Sequence, residues 1–138
     1  GGNQGRCTWN KGSNMTERHG ASRLAALKKI ASQFNKNIDD IPVSCDPTGP
    51  GDSYTGGAIG PMQFMPDSWL HYTQRGKDAN LIPSSATPNP WDVKDVMLVA
   101  AVHLKYTGVK GYHGDCSNNY CASVESRLAE YRKLCPAQ

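Results

Sequence analysis

Gly56-Gly57-Ala58-Ile59-Gly60-Pro61-Met62-Gln63-Phe64-Met65-Pro66-Asp67-Ser68-Trp69 is the stretch on which the reading of this chain turns. It reads as a tight glycine-rich turn feeding a helix start. Gly56, Gly57 and Gly60 tolerate positive φ and let another group approach bare backbone. Pro61 fixes its own φ and biases Gly60 away from the α region. Pro66 suits a first helical turn, where its missing N–H costs nothing, and Asp67 and Ser68 bring polar groups to the orphan donors there. Between the two prolines, the Gln63 amide is set among Met62, Phe64 and Met65. On spacing alone this is a loop–helix junction with core anchors, because Gly and Pro punctuate loops everywhere.

Outward from that stretch the periodicity is helical. Leu24, Leu27, Ile30, Ala31 and Phe34 fall on one face and predict a helix over 21–34, with Lys28 and Lys29 outside and Asn35-Lys36-Asn37 ending it. Residues 1–19 read as loop, and Asp39 to Ser53 as a connector carrying Pro42, Pro47 and Pro50. A helix is expected from Pro66 to about Gln74, then a polar surface loop from Arg75 to Pro90. Asp92 is placed to cap a helix over 93–107, with Val96, Val99, Ala100, His103 and Leu104 inward. Gly108 to Asn119 reads as a glycine-containing loop, and Ser123 as the cap of a last helix over 124–134. Phe64, Met65, Trp69 and Trp91 are assigned to the core. No stretch alternates as a strand and no repeat is visible, so the fold class is mostly α.

At 138 residues the chain suffices for one domain with a modest core. Mean hydropathy is -0.58, and no apolar run approaches the roughly 18 residues that suggest a membrane span. A net charge of +3, with Lys and Arg scattered, suits an anionic polymer and argues against nucleic acid as a partner. Five cysteines favour an oxidising compartment. Cys116 and Cys121 could staple a short loop, with Cys7 pairing to Cys45 and Cys135 left over. Pairings 116–135 and 121–135 stay open, since connectivity cannot be read from spacing.

Gly57 to Trp69 resembles the glycine-glutamine motif of the lytic transglycosylases, lysozyme-like enzymes that cleave peptidoglycan, and the membrane-bound lytic transglycosylase B type above all. Asn89-Pro90-Trp91-Asp92-Val93-Lys94-Asp95-Val96 is similar to that family's segment opening a buried helix. Cys7-Thr8-Trp9-Asn10 and Pro42-Val43-Ser44-Cys45 look like elements of a secreted subgroup and favour the Cys7–Cys45 pair. Tyr112-His113-Gly114, with Tyr120 and Val124 beyond, resembles a late stretch bordering the glycan cleft. His113 stands where the family often carries Asn, and the chain between Gly108 and Tyr112 is shorter than the family's by about a helix.

The resemblance implies a lysozyme-like single domain over 1–138, with long loops around a glycan-binding cleft. It implies cleavage between N-acetylmuramic acid and N-acetylglucosamine, one Glu serving as acid and then base, and a 1,6-anhydro product formed without water. Gly1-Gly2-Asn3-Gln4-Gly5 looks like the family's segment just downstream of that Glu, so the acid and its helix are expected upstream of Gly1. A relic of the same fold that binds the wall without cleaving it is the alternative. The substrate-binding residues expected are Gln63, Tyr54, Tyr112 and His103. Gln63 would line the cleft, its amide offering donor and acceptor to sugar hydroxyls and N-acetyl groups. Tyr54 lies where the family places a small polar residue facing the acid. Tyr112 would stack on a sugar ring or serve as a loop aromatic. His103 occupies the place of a cleft Tyr, and a satisfied core histidine is the competing reading. The implied partner is the peptidoglycan strand, with a monomeric protein, no cofactor, no metal and a periplasmic or extracellular location.

The carboxylates within the chain are poor acids for this chemistry, which needs a carboxyl whose pKa an apolar pocket raises. Glu17 is flanked by charge, and Glu125 and Glu130 pair along their helix with Arg127, Arg132 and Lys133. Asp46 and Asp52 flank the proline-rich connector close to the motif; either could line the cleft, though turn-forming is the favoured reading. His113, Cys116 and Cys121, with His103, would make an irregular zinc set lacking a C-x2-C knuckle, so disulfides are preferred. A Cys–His peptidase through Cys45 or Cys135 lacks a nucleophile context.

Overall fold

The computed structural model describes residues 7–9, 15–45, 56–113 and 120–134, with backbone alone for 15–20, 112, 113, 120, 121, 128, 131, 132 and 134. It is mostly helical: α1 Met15–Gln33, a 3-10 turn Ile38–Asp40, α2 Pro66–Asp78, α3 Val93–His113 and α4 Tyr120–Leu134. No strand occurs among the described residues; two isolated antiparallel bridges join Cys7 to Val43 and Ile59 to Phe64. The chain divides into two compact units, Gly1–Ala100 and Ala101–Gln138.

In the first unit α1 buries Ala26, Leu27, Ile30 and Ala31, while Lys28 and Lys29 are exposed, as the heptad-like spacing requires. Leu24 and Phe34, expected inward as well, are half-buried. The helix starts at Met15, six residues before the expected 21, in a polar stretch whose sequence carries no apolar periodicity to announce it. It stops where Asn35 takes φ 52°. The Lys36 N–H then returns to the Ala31 carbonyl at 2.9 Å and the Asn35 N–H to Ser32 at 3.3 Å. These two bonds are the pattern of a left-handed C-terminal cap, for which Asn is the usual non-glycine residue.

α2 packs on α1, with the Arg23 guanidinium 3.2 Å from the Asp67 carboxylate. Pro66 opens α2 as expected, but Met65 is its N-cap and no side chain caps it. Asp67 turns to Arg23 and neither it nor Ser68 satisfies the helix donors. α2 runs through Asp78, beyond Gln74, and closes as α1 does: Asn80 has φ 58°, and the Leu81 N–H bonds the Gly76 carbonyl at 2.8 Å. The expected surface loop 75–90 is therefore helical at its start. It also contributes Ile82, Pro88 and Pro90 to the interior.

The core of this unit joins distant segments. Trp9, Leu27, Ile30, Ile41, Val43, Ile59, Trp69, Ile82, Val96 and Val99 are almost wholly buried, each large aliphatic contributing about 1.5–3 kcal/mol. Phe64 meets Trp69 edge-on at 5.4 Å, and both are buried, two of the three aromatics assigned to the core. Met65 is only half-buried. Cys7 is bonded to Cys45, and the Val43 N–H reaches the Cys7 carbonyl at 2.8 Å. That double attachment holds Trp9 in the core, within a segment the sequence reads as loop.

In the second unit the helix does not end near Thr107. It continues to His113 past Gly108, whose φ 66° and ψ 179° are not helical. A glycine can take this conformation at little cost, so the chain turns there and winds again. The Thr107 hydroxyl donates to the His103 carbonyl at 2.9 Å just before the turn. α4 starts at Tyr120, four residues before the expected 124, which puts Ser123 inside the helix instead of at its cap. Cys116 and Cys135, and the Cys121 side chain, lie outside the described residues.

Candidate functional site: a concavity between two turns

The glycine-glutamine stretch folds as a short hairpin. Ile59 and Phe64 exchange backbone hydrogen bonds of 2.8 and 3.1 Å, enclosing Gly60, Pro61, Met62 and Gln63. Gly60 has φ 68° and Gln63 φ 55°. The Gly60 carbonyl accepts twice from Gln63, from the backbone N–H at 3.1 Å and from side-chain Nε2 at 2.9 Å. Because that acceptor is a carbonyl, the amide orientation is fixed: Nε2 faces the turn and Oε1 is the acceptor left over.

The hairpin is anchored from behind. Ser44 is buried; its N–H donates to the Ala58 carbonyl at 2.9 Å, and its hydroxyl oxygen accepts from the Ala58 N–H at 2.9 Å. The Gly57 N–H reaches the Ser44 carbonyl at 2.8 Å. Positive φ at Gly56 and Gly57, 70° and 81°, lets the chain make this approach.

The second turn precedes α3. The Asn89 side-chain oxygen accepts from the Trp91 N–H at 2.9 Å, and the Asp95 carboxylate accepts from the Asn89 N–H at 2.8 Å. Asp92 caps α3 as the sequence predicts, accepting from the N–H groups of Lys94 and Asp95 at 3.0 and 3.1 Å. This clamp sets Trp91, which is half-buried and not a core residue as expected. Phe34 meets its ring edge-on at 5.6 Å, and the Lys36 ammonium lies 5.3 Å from its centroid. Trp91 Nε1 is shut from solvent and has no hydrogen-bond partner among the described residues.

Between the turns lies an open concavity of about 320 Å³, lined by Pro42, Ala58, Gly60, Pro61, Gln63, Trp91 and Val93. That size is at the low end for small-molecule sites. Among the described residues its walls are apolar except for the Gln63 amide and the backbone, and none of those lining it carries an ionisable group. Chemically it can hold a ring with an apolar face and satisfy a hydroxyl or amide on it.

Of the expected binding residues, Gln63 lines this concavity. Tyr54 lies outside the described residues, as does the Tyr112 side chain. His103 belongs to the second unit and is half-buried, with its Nδ1 shut from solvent. No family model, curated protein or solved structure matches the chain.

The sequence reading missed Pro42, Val93 and the exposed role of Trp91. A second, more polar groove on α2 is lined by Asp67, Ser68, His71 and Tyr72. Among the described residues no three His, Cys, Asp or Glu side chains are grouped to hold a metal. The His113, Cys116 and Cys121 zinc set lies outside the described residues.

Proposed function

We propose that this chain is a lysozyme-like peptidoglycan-recognising domain of the lytic transglycosylase type. It binds glycan strands and serves cleavage between N-acetylmuramic acid and N-acetylglucosamine with a 1,6-anhydro product. One observation carries the reading: the Gln63 hairpin and the Asn89–Trp91 turn, the two stretches that resemble the family's motifs, line one concavity. An indole and an amide on apolar walls suit an amino-sugar, whose ring offers C–H faces and whose substituents need donors and acceptors. The Cys7–Cys45 bridge supports a location in the periplasm or outside the cell. Among the described residues no helix is long and apolar enough to cross a membrane.

A second reading, favoured by a described lining that offers an indole and one amide for binding, is a wall-binding domain of the same fold that does not cleave. Incubating purified sacculi with the full-length parent, in which the expected acid would be present, and weighing the released muropeptides separates the two. Anhydro-ended products establish the transglycosylase. Products heavier by one water, with ordinary reducing ends, identify a muramidase and defeat the proposal. Sacculi that retain the protein and release nothing establish the binding domain.

A further inference from the structure

The Lys36 ammonium has a defined seat beside one wall of the concavity, 5.3 Å from the Trp91 ring centroid. The left-handed cap at Asn35 aims the chain, the Lys36 N–H is held by Ala31 at 2.9 Å, and the side chain lies over the Trp91 ring. The same indole is a wall of the concavity. Lys36 is exposed and makes no ion pair with a described residue. A lysine on a surface is free to sweep solvent, and its charge is then spread over many positions. A cation resting on an aromatic face loses much of that freedom and keeps its charge available, since the ring does not neutralise it.

We propose that Lys36 is a specificity-determining residue of this site, selecting amino-sugars that carry a carboxylate over neutral ones. This deepens the glycan reading and rests on it. The described lining, apolar walls and one amide, fits muramyl and glucosaminyl rings alike; the charge beside Trp91 is what tells them apart. The carboxylate is supplied by the lactyl group of a peptide-free muramyl unit or by the stem peptide of a substituted one. Both present the same chemistry to an ammonium.

Three probes test this with the 138-residue chain in calorimetric titrations: a peptide-free N-acetylglucosaminyl-N-acetylmuramic acid disaccharide, the same disaccharide bearing its stem peptide, and a neutral chitin disaccharide. The expected preference for a carboxylated probe over the neutral one is roughly fivefold at low salt, the size of a partly exposed ion pair, and shrinks as salt is raised. Whichever carboxylated probe shows it identifies the source. Lys36→Gln brings the ratio to about one, and Lys36→Arg keeps it. Equal binding of all three by the unaltered protein, or a preference that survives in Lys36→Gln, overturns the role of Lys36 and leaves the glycan reading standing. Failure to bind any of the three overturns both.

Discussion

Gly60 sits so close to the Pro90 carbonyl that a Cβ on Gly60 would overlap the oxygen. The contact is backbone to backbone, with Gly60 at φ 68°. It is the point at which the hairpin carrying Gln63 docks on the turn carrying Trp91, and so it sets the depth of the concavity between them.

Gly60→Ala meets two penalties together. The left-handed backbone costs an L-residue about 1–2 kcal/mol, and the overlap must be relieved by moving one turn off the other, for about 1–3 kcal/mol more. Urea denaturation is expected to show a loss of about 2–5 kcal/mol on these terms. A loss below 1 kcal/mol, the floor of the backbone penalty alone, would show that the two turns part without resistance.

Ser44→Ala is expected to cost about 1–3 kcal/mol although it removes one oxygen atom, because the Ala58 N–H it satisfies is buried. Equilibrium denaturation measures this. An unchanged midpoint would mean that the Ala58 donor finds another partner, and the anchoring of the hairpin would have to be sought elsewhere.

The Cys7–Cys45 bridge closes a span of 38 residues. Chain entropy alone assigns such a loop about 4 kcal/mol. The double variant Cys7→Ser/Cys45→Ser is expected to lose about 2–4 kcal/mol, and the segment holding Trp9 is the first to open. Hydrogen exchange at Val43, whose N–H bonds the Cys7 carbonyl, reads that opening directly. Protection at Val43 that survives removal of the bridge would assign the docking of Trp9 to packing alone.

The parts of this fold that were legible are those where local chemistry and tertiary structure agree. Leu27, Ile30 and Ala31 announced their buried face by spacing, Asp92 its cap, and Gly60 its positive φ. The parts that were not legible are decided by distant partners. Trp9 is buried because a disulfide and a bridge to Val43 bring its loop to the core; the Cys7–Cys45 pair was expected, but the loop's apolar pattern did not show that the pairing would carry Trp9 inward. Asp67 looked like a helix cap and is drawn away by Arg23 across the α1–α2 contact. Trp91 looked like core by composition alone, yet the clamp on Asn89 and Asp95 leaves its ring as a wall of the site. The glutamine was named from its resemblance to a motif, whereas its left-handed backbone comes from closing a hairpin too tight for other geometry.

That backbone offers a way to separate what Gln63 does for the fold from what it does for a ligand. Its side chain donates one bond to Gly60, worth about 0.5–1.5 kcal/mol, while its φ of 55° costs about 1–2 kcal/mol that a glycine would not incur. Gln63→Gly should therefore fold with stability within about 1 kcal/mol of the original, the two terms opposing each other. On the glycan reading it should bind muropeptide fragments about tenfold more weakly, since Oε1 is the acceptor the turn leaves unused and a sugar donor would lose its partner. Gln63→Leu keeps the bulk and the strained backbone, so it should lose both the stability of the Gly60 bond and the affinity. Thermal melts and titrations on the same three proteins give the comparison. If Gln63→Gly melts as the original does and binds as tightly, the amide serves only the turn, and recognition must be carried by Trp91 and the apolar walls.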